Sequence, residues 1–557
     1  MLQVVNPLTV SKQSSGKLRL ILDLRFVNKY LWKDKVHFED WNTALTYFKE
    51  GDFLFSFDLK SGYHHFHIFE DHTPFLSFSW DFGSGTRYFS FQNLPFGLST
   101  APYVFTKCLR PLVHHWRSNG IFIVIFLDDG WSRAHSREVC AQNANQVKSD
   151  LLEAGFVPNK DKSQWEPVQF LDWLGMSWSS PDATIRISER RIIDINNSID
   201  LLQTSLPSVT ARKLASIAGK IISTYPVMGA ITQLKTRYMY HEVVRRVHWD
   251  KVYNLSHDSE VLEELFFWKS KLRNLNKRFL FDYSIPQVVV FTDASNVGAG
   301  AWAYEKLQFH RNWTVEESTR SSTWRELKAL SLALQAFVTK LSGKKVKIFT
   351  DNKGVVSIIS KGSMKIELHR MSLQVYEFCK DNAIALEVQW IPRDENQQAD
   401  ALSREIDTDD RGVSSEFFSF MDGLWGPHSF DRFATDYNTR LPRFNSKVWC
   451  PGTSGVDAFT MDWHGENNWL VPPITLIGQV LAHMKACSAA GTLVVPEWPS
   501  ASFWPLLFSR HSDFQVLIKH VIRIRDPSVL VQGRNQKSIF GTNKFRSAIV
   551  CIRLAVT

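Results

Sequence analysis

One segment of the 557-residue chain limits its fold more than any other. I-F-I-V-I-F-L-D-D-G (121–130) is an apolar run that ends in two adjacent acids, Asp128 and Asp129, followed by a glycine. A short run rich in β-branched and aromatic residues reads as a buried strand, here with a turn at Gly130. Two carboxylates at the end of a buried strand are costly unless something positive neutralises them. A divalent cation meets that need, since hard ions prefer oxygen ligands; a lysine or arginine partner meets it too. F-L-F-S-F-D-L-K-S-G-Y (53–63) has the same form, a strand ending at Asp58 and then a turn through Gly62.

A second acidic set lies far downstream. V-V-V-F-T-D-A-S-N-V-G-A-G-A-W (288–302) is an apolar strand ending in Asp293, with glycines that permit a hairpin into the next strand. S-T-W-R-E-L-K-A-L-S-L-A-L-Q-A-F (322–337) places Leu327, Leu330, Leu334 and Phe337 at helical spacing, with Glu326 in the first turn. K-V-K-I-F-T-D-N-K (345–353) is a strand ending in Asp351, and L-E-V-Q-W-I-P-R-D-E-N-Q-Q-A-D-A-L-S-R (386–404) is a strand, a Pro-led loop and a helix presenting Asp400. Any one of these acids alone would be a solvated charge or a cap. Acids at strand ends and helix starts can converge on one edge of a mixed sheet.

Between the two sets, residues 186–280 hold 16 Lys+Arg against 9 Asp+Glu, so this stretch carries +7 of the net +9. Its patterns are helical: V-T-A-R-K-L-A-S-I-A-G-K-I-I (209–222) sets Leu214, Ile217 and Ile221 on one face. Arg245–Arg246 and K-S-K-L-R-N-L-N-K-R (269–278) then present cations on exposed faces, as a solvated helical linker or as a track for a duplex. Hydrophobic content of 44% and charged content of 22% are globular and exclude a disordered or fibrous chain. The six cysteines form no C-x-x-C pair, which argues against a zinc module or disulfide scaffold and for a reducing, intracellular compartment, cytoplasmic or nuclear. No apolar run approaches the ~18 residues of a membrane span.

The first region resembles the reverse-transcriptase palm of retrotransposons. S-F-D-L-K-S-G-Y-H-H-F-H-I precedes L-P-F-G-L-S-T-A-P-Y-V-F (94–105) and F-L-D-D (126–129). Upstream, S-K-Q-S-S-G-K-L-R-L-I-L-D-L-R-F-V-N-K resembles the fingers motif, and F-L-D-W-L-G (170–175) resembles the primer grip. The resemblance implies that Asp58 and Asp128 bind two Mg²⁺ ions, with Asp129 as the third acid and Mn²⁺ as an alternative ion. It implies that Lys12 and Arg19 grip the incoming triphosphate and that the Tyr63 ring excludes a ribose 2′-OH. Phe96 and Gly97 would line the nucleotide and template pocket, and Lys162, with Lys160 as rival, would protonate pyrophosphate. Asp23, Arg25 and Asn28 are expected to hold the fingers hairpin together. Phe126 replaces the family's usual tyrosine, and the chain begins so close to Lys12 that the first fingers elements are expected to be missing.

The second region resembles ribonuclease H in the form attached to retroelement polymerases. Asp293, Glu326, Asp351 and Asp400 would then hold two ions for hydrolysis of the RNA of an RNA–DNA hybrid. W-I-P-R-D-E-N lacks the histidine that many cellular homologues place there. Beyond it, F-D-R-F-A-T-D-Y-N-T-R-L-P-R-F, G-V-D-A-F-T-M-D-W and N-W-L-V-P-P-I-T-L-I resemble the corresponding region of DIRS-like, tyrosine-recombinase retrotransposons, a region related to adenine methyltransferases. V-P-P (471–473) stands where an acidic D-P-P-Y motif would be, and no Gly-rich cofactor loop is present, so a degenerate α/β domain is the expectation.

The expected architecture is α+β and multidomain. Fingers and a ferredoxin-like palm occupy 1–180, a helical thumb and connection 181–285, an α/β ribonuclease H-like domain 286–404, a linker 405–412 and a C-terminal α/β domain 413–557. The expected partners are an RNA template, a DNA primer, RNA–DNA hybrid and deoxynucleoside triphosphates, with no membrane; an element-encoded recombinase or capsid protein is a further candidate. The competing expectations are a non-catalytic nucleic-acid-binding relic and, for 413–557, a methyltransferase.

Overall fold

The computed structural model describes residues 3–12, 16, 18–32, 37–280, 285–304, 307–405, 411–533 and 538–555. It forms two compact units, Met1–Tyr283 and Ser284–Thr557. None of the described helices is long and apolar enough to cross a membrane.

The first unit is built on an antiparallel sheet in the order Phe122–Phe126, Asp129–Ala134, Phe53–Asp58, Gln164–Val168. Helices Ala101–Ser118 and Arg137–Glu153 cover one face. Phe105, Leu109, Trp116, Cys140, Val147 and Leu151 meet Phe55, Phe57, Ile123 and Ile125 there in one buried cluster. Alternation explains the choice of side, because Phe55 and Phe57 lie two residues apart on one strand face. Leu8–Lys12 and Leu18–Leu22 form the fingers hairpin. A second antiparallel sheet joins Phe170–Trp173, Met176–Ser179, Thr184–Ile187 and Arg278–Phe279. Its first turn is Leu174–Gly175, both residues left-handed at φ +49° and +72°, the geometry that a tight hairpin of this twist requires. The expected boundary at 180 therefore cuts a sheet, since strands on either side of it pair.

Residues 189–271 are largely helical, in Glu189–Gln203, Ala211–Ile222, Arg237–Arg245 and Glu260–Lys271. Leu214, Ile217 and Ile221 are buried, as their spacing requires. The basic excess behaves differently from its expected display. Lys269 pairs with Asp200, Arg273 with Glu189, Lys220 with Asp194 and Arg212 with Asp250, so much of the positive charge ties one segment to another. The sequence hides this because the partners lie 26 to 84 positions apart.

The nuclease-like sheet of the second unit runs Leu307–Asn312, Gly298–Ala303, Val288–Ala294, Lys345–Thr350, Ala385–Trp390. Its first three strands are antiparallel and the last two join in parallel. Helix Ser322–Ala336 buries Leu327, Leu330 and Leu334 against it. Of the expected linker, 406–410 lies outside the described residues, while Arg411–Val413 already forms a strand with Leu530–Gln532. The C-terminal sheet runs Phe430–Asp431, Asn467–Leu470, Ala490–Pro496, Ile549–Ala555, Ile518–Ile524. Three parallel strands are followed by an antiparallel one, which separates the third from the fifth.

This C-terminal part packs directly onto the nuclease-like edge. Trp449 lies edge-on to Phe309, ring centroids 5.9 Å apart, and packs against the core cluster of that sheet. Arg311, 10% exposed, pairs with Glu317 at 3.0 Å and with Asp436 at 3.4 Å. Trp449→Ala is expected to destabilise the second unit by about 3 kcal/mol, the low end for a large aromatic because Trp449 is half-buried. Urea denaturation reads this directly, and an unchanged midpoint would show that the C-terminal packing contributes nothing.

One buried acid of the first unit gives a second prediction. Glu264 accepts the backbone N–H groups of Tyr238 and Met239 and so caps helix Arg237–Arg245. Burial pushes its carboxyl up to about 8, against the pull of those amides and of Lys235. Between its unfolded value of about 4.3 and that folded value, the native state holds a proton the unfolded chain has released. Stability is therefore greatest below the unfolded value and falls as pH rises, by at most about 1.4 kcal/mol per pH unit. Glu264→Gln is expected to flatten that slope in denaturation curves taken across the range; an unaltered slope assigns it to other groups.

Candidate active sites

The first acidic set is assembled by strand register. Asp58 ends its strand directly opposite Asp129, the first residue of the neighbouring strand. Phe126 pairs with Asp129, so Leu127 and Asp128 form a two-residue turn, with Leu127 left-handed at φ +55°. The Leu59 N–H donates to the Asp128 carbonyl at 2.9 Å and locks the turn against the Asp58 strand. Two glycines make the approach fit. A Cβ on Gly130 would lie 2.3 Å from the Phe57 ring, and one on Gly62 would lie 3.0 Å from Phe105 and 3.4 Å from the Asp128 Cβ.

Asp58 is buried and bonded on both carboxylate oxygens. Lys162 Nζ donates to its Oδ2 and Asn159 Nδ2 to its Oδ1, each at 3.0 Å. The Asp58 N–H in turn donates to Ser163 Oγ. Burial, and then the charges of Asp128 and Asp58, push the Asp129 carboxyl up to about 7, with Lys162 opposing. The Lys162 ammonium is itself held above its ordinary value by its bond to Asp58. Both readings of the paired acids thus meet here: a lysine touches one acid, while Asp129 retains the cost of crowding.

Tyr63 sits on the turn after Asp58, its ring 5.1 Å from Phe96 and 5.5 Å from Phe105 between centroids. Gly97 has φ +108°, and a Cβ there would lie 2.0 Å from the Leu22 carbonyl, so only glycine lets this loop pass the fingers hairpin. Asn28 closes the same contact, donating to the Gly97 carbonyl at 2.9 Å and accepting from the Ser99 N–H at 2.8 Å. Asp23 and Arg25 pair with each other at 2.6 Å. The side chains of Lys12 and Arg19 lie outside the described residues; their backbones pair in the fingers hairpin.

In the second set Asp293, Glu326 and Asp351 each bring a carboxylate oxygen within 4.8 Å of the others, the one such acidic group among the described residues. Asp293 and Asp351 come from adjacent parallel strands, and Glu326 from the helix packed over them. Burial, then Asp293 and Asp351, push the Glu326 carboxyl up to about 9. Its Oε2 is buried with no hydrogen-bond partner among the described residues. Burial raises Asp293 to about 6, opposed by the Ser403 hydroxyl, which donates to it at 2.8 Å. Asp351 is raised by burial as well. An orphaned carboxylate oxygen facing two further acids fits a divalent cation.

Asp400 lies outside this 4.8 Å group, although its charge still raises Asp293 and Asp351. Arg404 and Arg393 both bond its carboxylate, at 2.8 and 2.9 Å, and hold it down to about 2. The expected set of four is therefore three crowded acids and a fourth already neutralised by two arginines. The helix that carries it, Gln397–Ser403, lies so close that a Cβ on Gly300 would be 2.4 Å from the Ser403 nitrogen. Sequence reasoning missed Asn159, Ser163 and Ser403. Ser403 lies three residues beyond Asp400, on the same helical face, which is the signal that could have found it; Asn159 and Ser163 flank Lys162 in N-K-D-K-S and carry no such period.

Comparison with known proteins agrees with this division. Residues 10–178 match the family "Reverse transcriptase (RNA-dependent DNA polymerase)", and residues 290–406 match "Reverse transcriptase-like". The chain thus carries a reverse transcriptase domain and a ribonuclease H-like domain, homologous to those of transposon polyproteins. Among relatives, the retrovirus-related Pol polyprotein from transposon 412 of Drosophila melanogaster is 24% identical over 419 residues, 71% of this chain and 31% of the relative. The transposon Tf2-3 polyprotein of Schizosaccharomyces pombe is 22% identical over 418 residues, 72% of this chain and 29% of the relative. The chain therefore spans about a third of the length of these relatives. Among solved structures, the foamy viral protease-reverse transcriptase in complex with double-stranded DNA is 18% identical at a TM-score of 0.44, covering 70% of this chain and 79% of that one.

The crowded trio yields a metal prediction. Mg²⁺ or Mn²⁺ is expected to raise the melting temperature of the second unit. Glu326→Gln should remove most of that rise yet leave the metal-free melting temperature within about 3 °C, because the buried carboxyl already holds its proton at neutral pH. A rise that persists in the variant would place the ion elsewhere.

Proposed function

We propose that the chain is an RNA-directed DNA polymerase joined to a ribonuclease that degrades the RNA of the hybrid it makes. The observation that carries this reading is the pairing of two acid clusters, each at a sheet edge, inside domains homologous to those of transposon polyproteins. Asp58, Asp128 and Asp129 would hold Mg²⁺ in one site, and Asp293, Glu326 and Asp351 in the other, with Mn²⁺ as an alternative. Ions so bound supply activation of the 3′-hydroxyl or water and charge stabilisation of the leaving group.

The chain's own groups do the rest. Lys162, 65% exposed and 3.0 Å from Asp58, is poised to give a proton to departing pyrophosphate. Tyr63, on the turn that follows Asp58 and packed against Phe96 and Phe105, presents a fixed ring, which suits exclusion of a 2′-hydroxyl. Lys12 and Arg19, on paired strands of the fingers hairpin, are assigned to the triphosphate. In the nuclease, Ser403 orients Asp293, and Arg393 and Arg404 place two exposed guanidiniums beside the acids, where the phosphates of a hybrid would lie. RNA template, DNA primer, hybrid and deoxynucleoside triphosphates are the partners of this reading, in an intracellular setting. The DIRS-like assignment rests on the C-terminal motifs.

Primer extension on poly(rA), together with cleavage of a labelled hybrid, tests this. Asp128→Asn is expected to abolish extension and leave cleavage, and Asp351→Asn to do the reverse. Loss of both activities in either variant would refute separate sites. Hybrid binding with neither activity, in Mg²⁺ or Mn²⁺, would make the chain a binding relic.

A further inference from the structure

The C-terminal α/β part carries a crevice of about 350 Å³ that neither acid cluster uses. It opens where two adjacent parallel strands end: Arg432, Phe433 and Ala434 follow Phe430–Asp431, and Val471 and Pro473 follow Asn467–Leu470. Crevices at the carboxyl ends of parallel strands are the usual ligand sites of α/β sheets. The charge balance of the lining is unusual, for Arg411, Arg432 and Lys447 face it against a single carboxylate, Asp457.

Arg432 is the informative residue. It is 2% exposed. Among the described residues it donates to neutral oxygens: Asn468 Oδ1 at 2.7 Å, Asn445 Oδ1 at 2.9 Å and the Asp462 carbonyl at 3.3 Å. The guanidinium also lies over the Phe430 ring, and the charges of Glu466 and Asp462 reach it through space, but no carboxylate bonds it directly among the described residues, and an anion in the crevice would add that partner. Two partly exposed rings, Phe433 and Phe459, line the same crevice with centroids 5.6 Å apart and offer an apolar face beside the cations. Cations and phenyl rings in one crevice of this volume suit a ligand that joins an anionic group to an aromatic ring.

We propose that this crevice binds a nucleoside monophosphate, its phosphate toward Arg432 and Lys447 and its base against Phe433 and Phe459. The strand-end position explains the arginine. A loop built to bring backbone amides to a phosphate would need glycines here, whereas R-F-A-T-D-Y-N (432–438) supplies a guanidinium instead.

Calorimetric titration of the full chain with adenosine 5′-monophosphate, in EDTA so that the acid clusters hold no ion, tests this. Micromolar binding is expected, with adenosine and inorganic phosphate each at least about tenfold weaker. Lys447→Ala, at an exposed position, and Phe459→Ala are each expected to weaken binding about tenfold while Asp128→Asn leaves it unchanged. Arg432→Gln should abolish binding, with a melting curve to show that the variant folds. Four results would overturn the proposal: no binding of the monophosphate, full affinity in both Lys447→Ala and Phe459→Ala, loss of binding in Asp128→Asn, or binding of S-adenosylmethionine where the monophosphate fails.

Discussion

Carboxylates crowded at sheet edges are the constraint on which the rest of this structure depends. In water such acids repel one another weakly; withdrawn from water at strand ends or on the helix above them they resist ionisation, and the proton lingers on Asp129 and Glu326 near neutral pH. The two sites manage this differently. In the first, Lys162 touches one of the acids, so a built-in cation offsets part of the repulsion. In the second, Arg393 and Arg404 bond Asp400 directly, while the charge of Arg393 reaches Asp293 and Asp351 only through space, so no cation touches the three crowded acids among the described contacts. The second site is therefore the more dependent on an external cation, and the first is the one whose lysine must release its acid or share it when an ion arrives.

Bringing acids so close is a backbone problem before it is an electrostatic one. Gly130 exists because the Phe57 ring lies over its Cα, and Gly300 because a helix crosses its strand at contact distance. Leu127 carries the left-handed turn conformation at a local cost of about 1–2 kcal/mol, where a glycine would be unstrained. That strain is tolerated because the flanking strands, Phe122–Phe126 and Asp129–Ala134, are well buried and fix the register. Rigid strands thus hold the acids in place, and short turns set the angle at which they meet.

How much of this the sequence revealed follows from the range of each interaction. Strand ends, the buried helix face of Leu327, Leu330 and Leu334, and the acids themselves were legible because each is marked by neighbours within a few residues. The pairing of Asp400 with Arg393 and Arg404 was legible in principle, at seven and four residues' distance, yet it competes with the expectation that every acid of a motif faces the same ion. Asn159 was not legible, since its contact with Asp58 spans 101 positions. The C-terminal sheet was least legible of all: its first strand, Phe430–Asp431, has only two residues, too few to show a period.

Two compositional anomalies resolve in the same terms. Of the chain's 40 Phe and 20 Trp, part is core, with Trp116, Trp131, Trp178, Trp268, Trp463 and Trp469 among the largest fully buried side chains, while others such as Trp32, Trp80 and Phe170 are exposed. Trp131, Trp173 and Trp178 lie within 6.1 Å of one another between centroids and so pack the palm strand Asp129–Ala134 against the second sheet of the same unit. The basic surplus divides into cations engaged with acids on neighbouring segments and cations left to face solvent. Arg212 and Arg246 both lie over the Trp249 ring, at 5.8 and 3.8 Å, so even there an aromatic residue organises the charge. Net charge therefore overstates what this region offers a polyanion. A surface that grips nucleic acid needs cations whose partners can be exchanged, and exposed pairs such as Arg212–Asp250, in which both side chains are more than half exposed, are weak enough to yield to a phosphate.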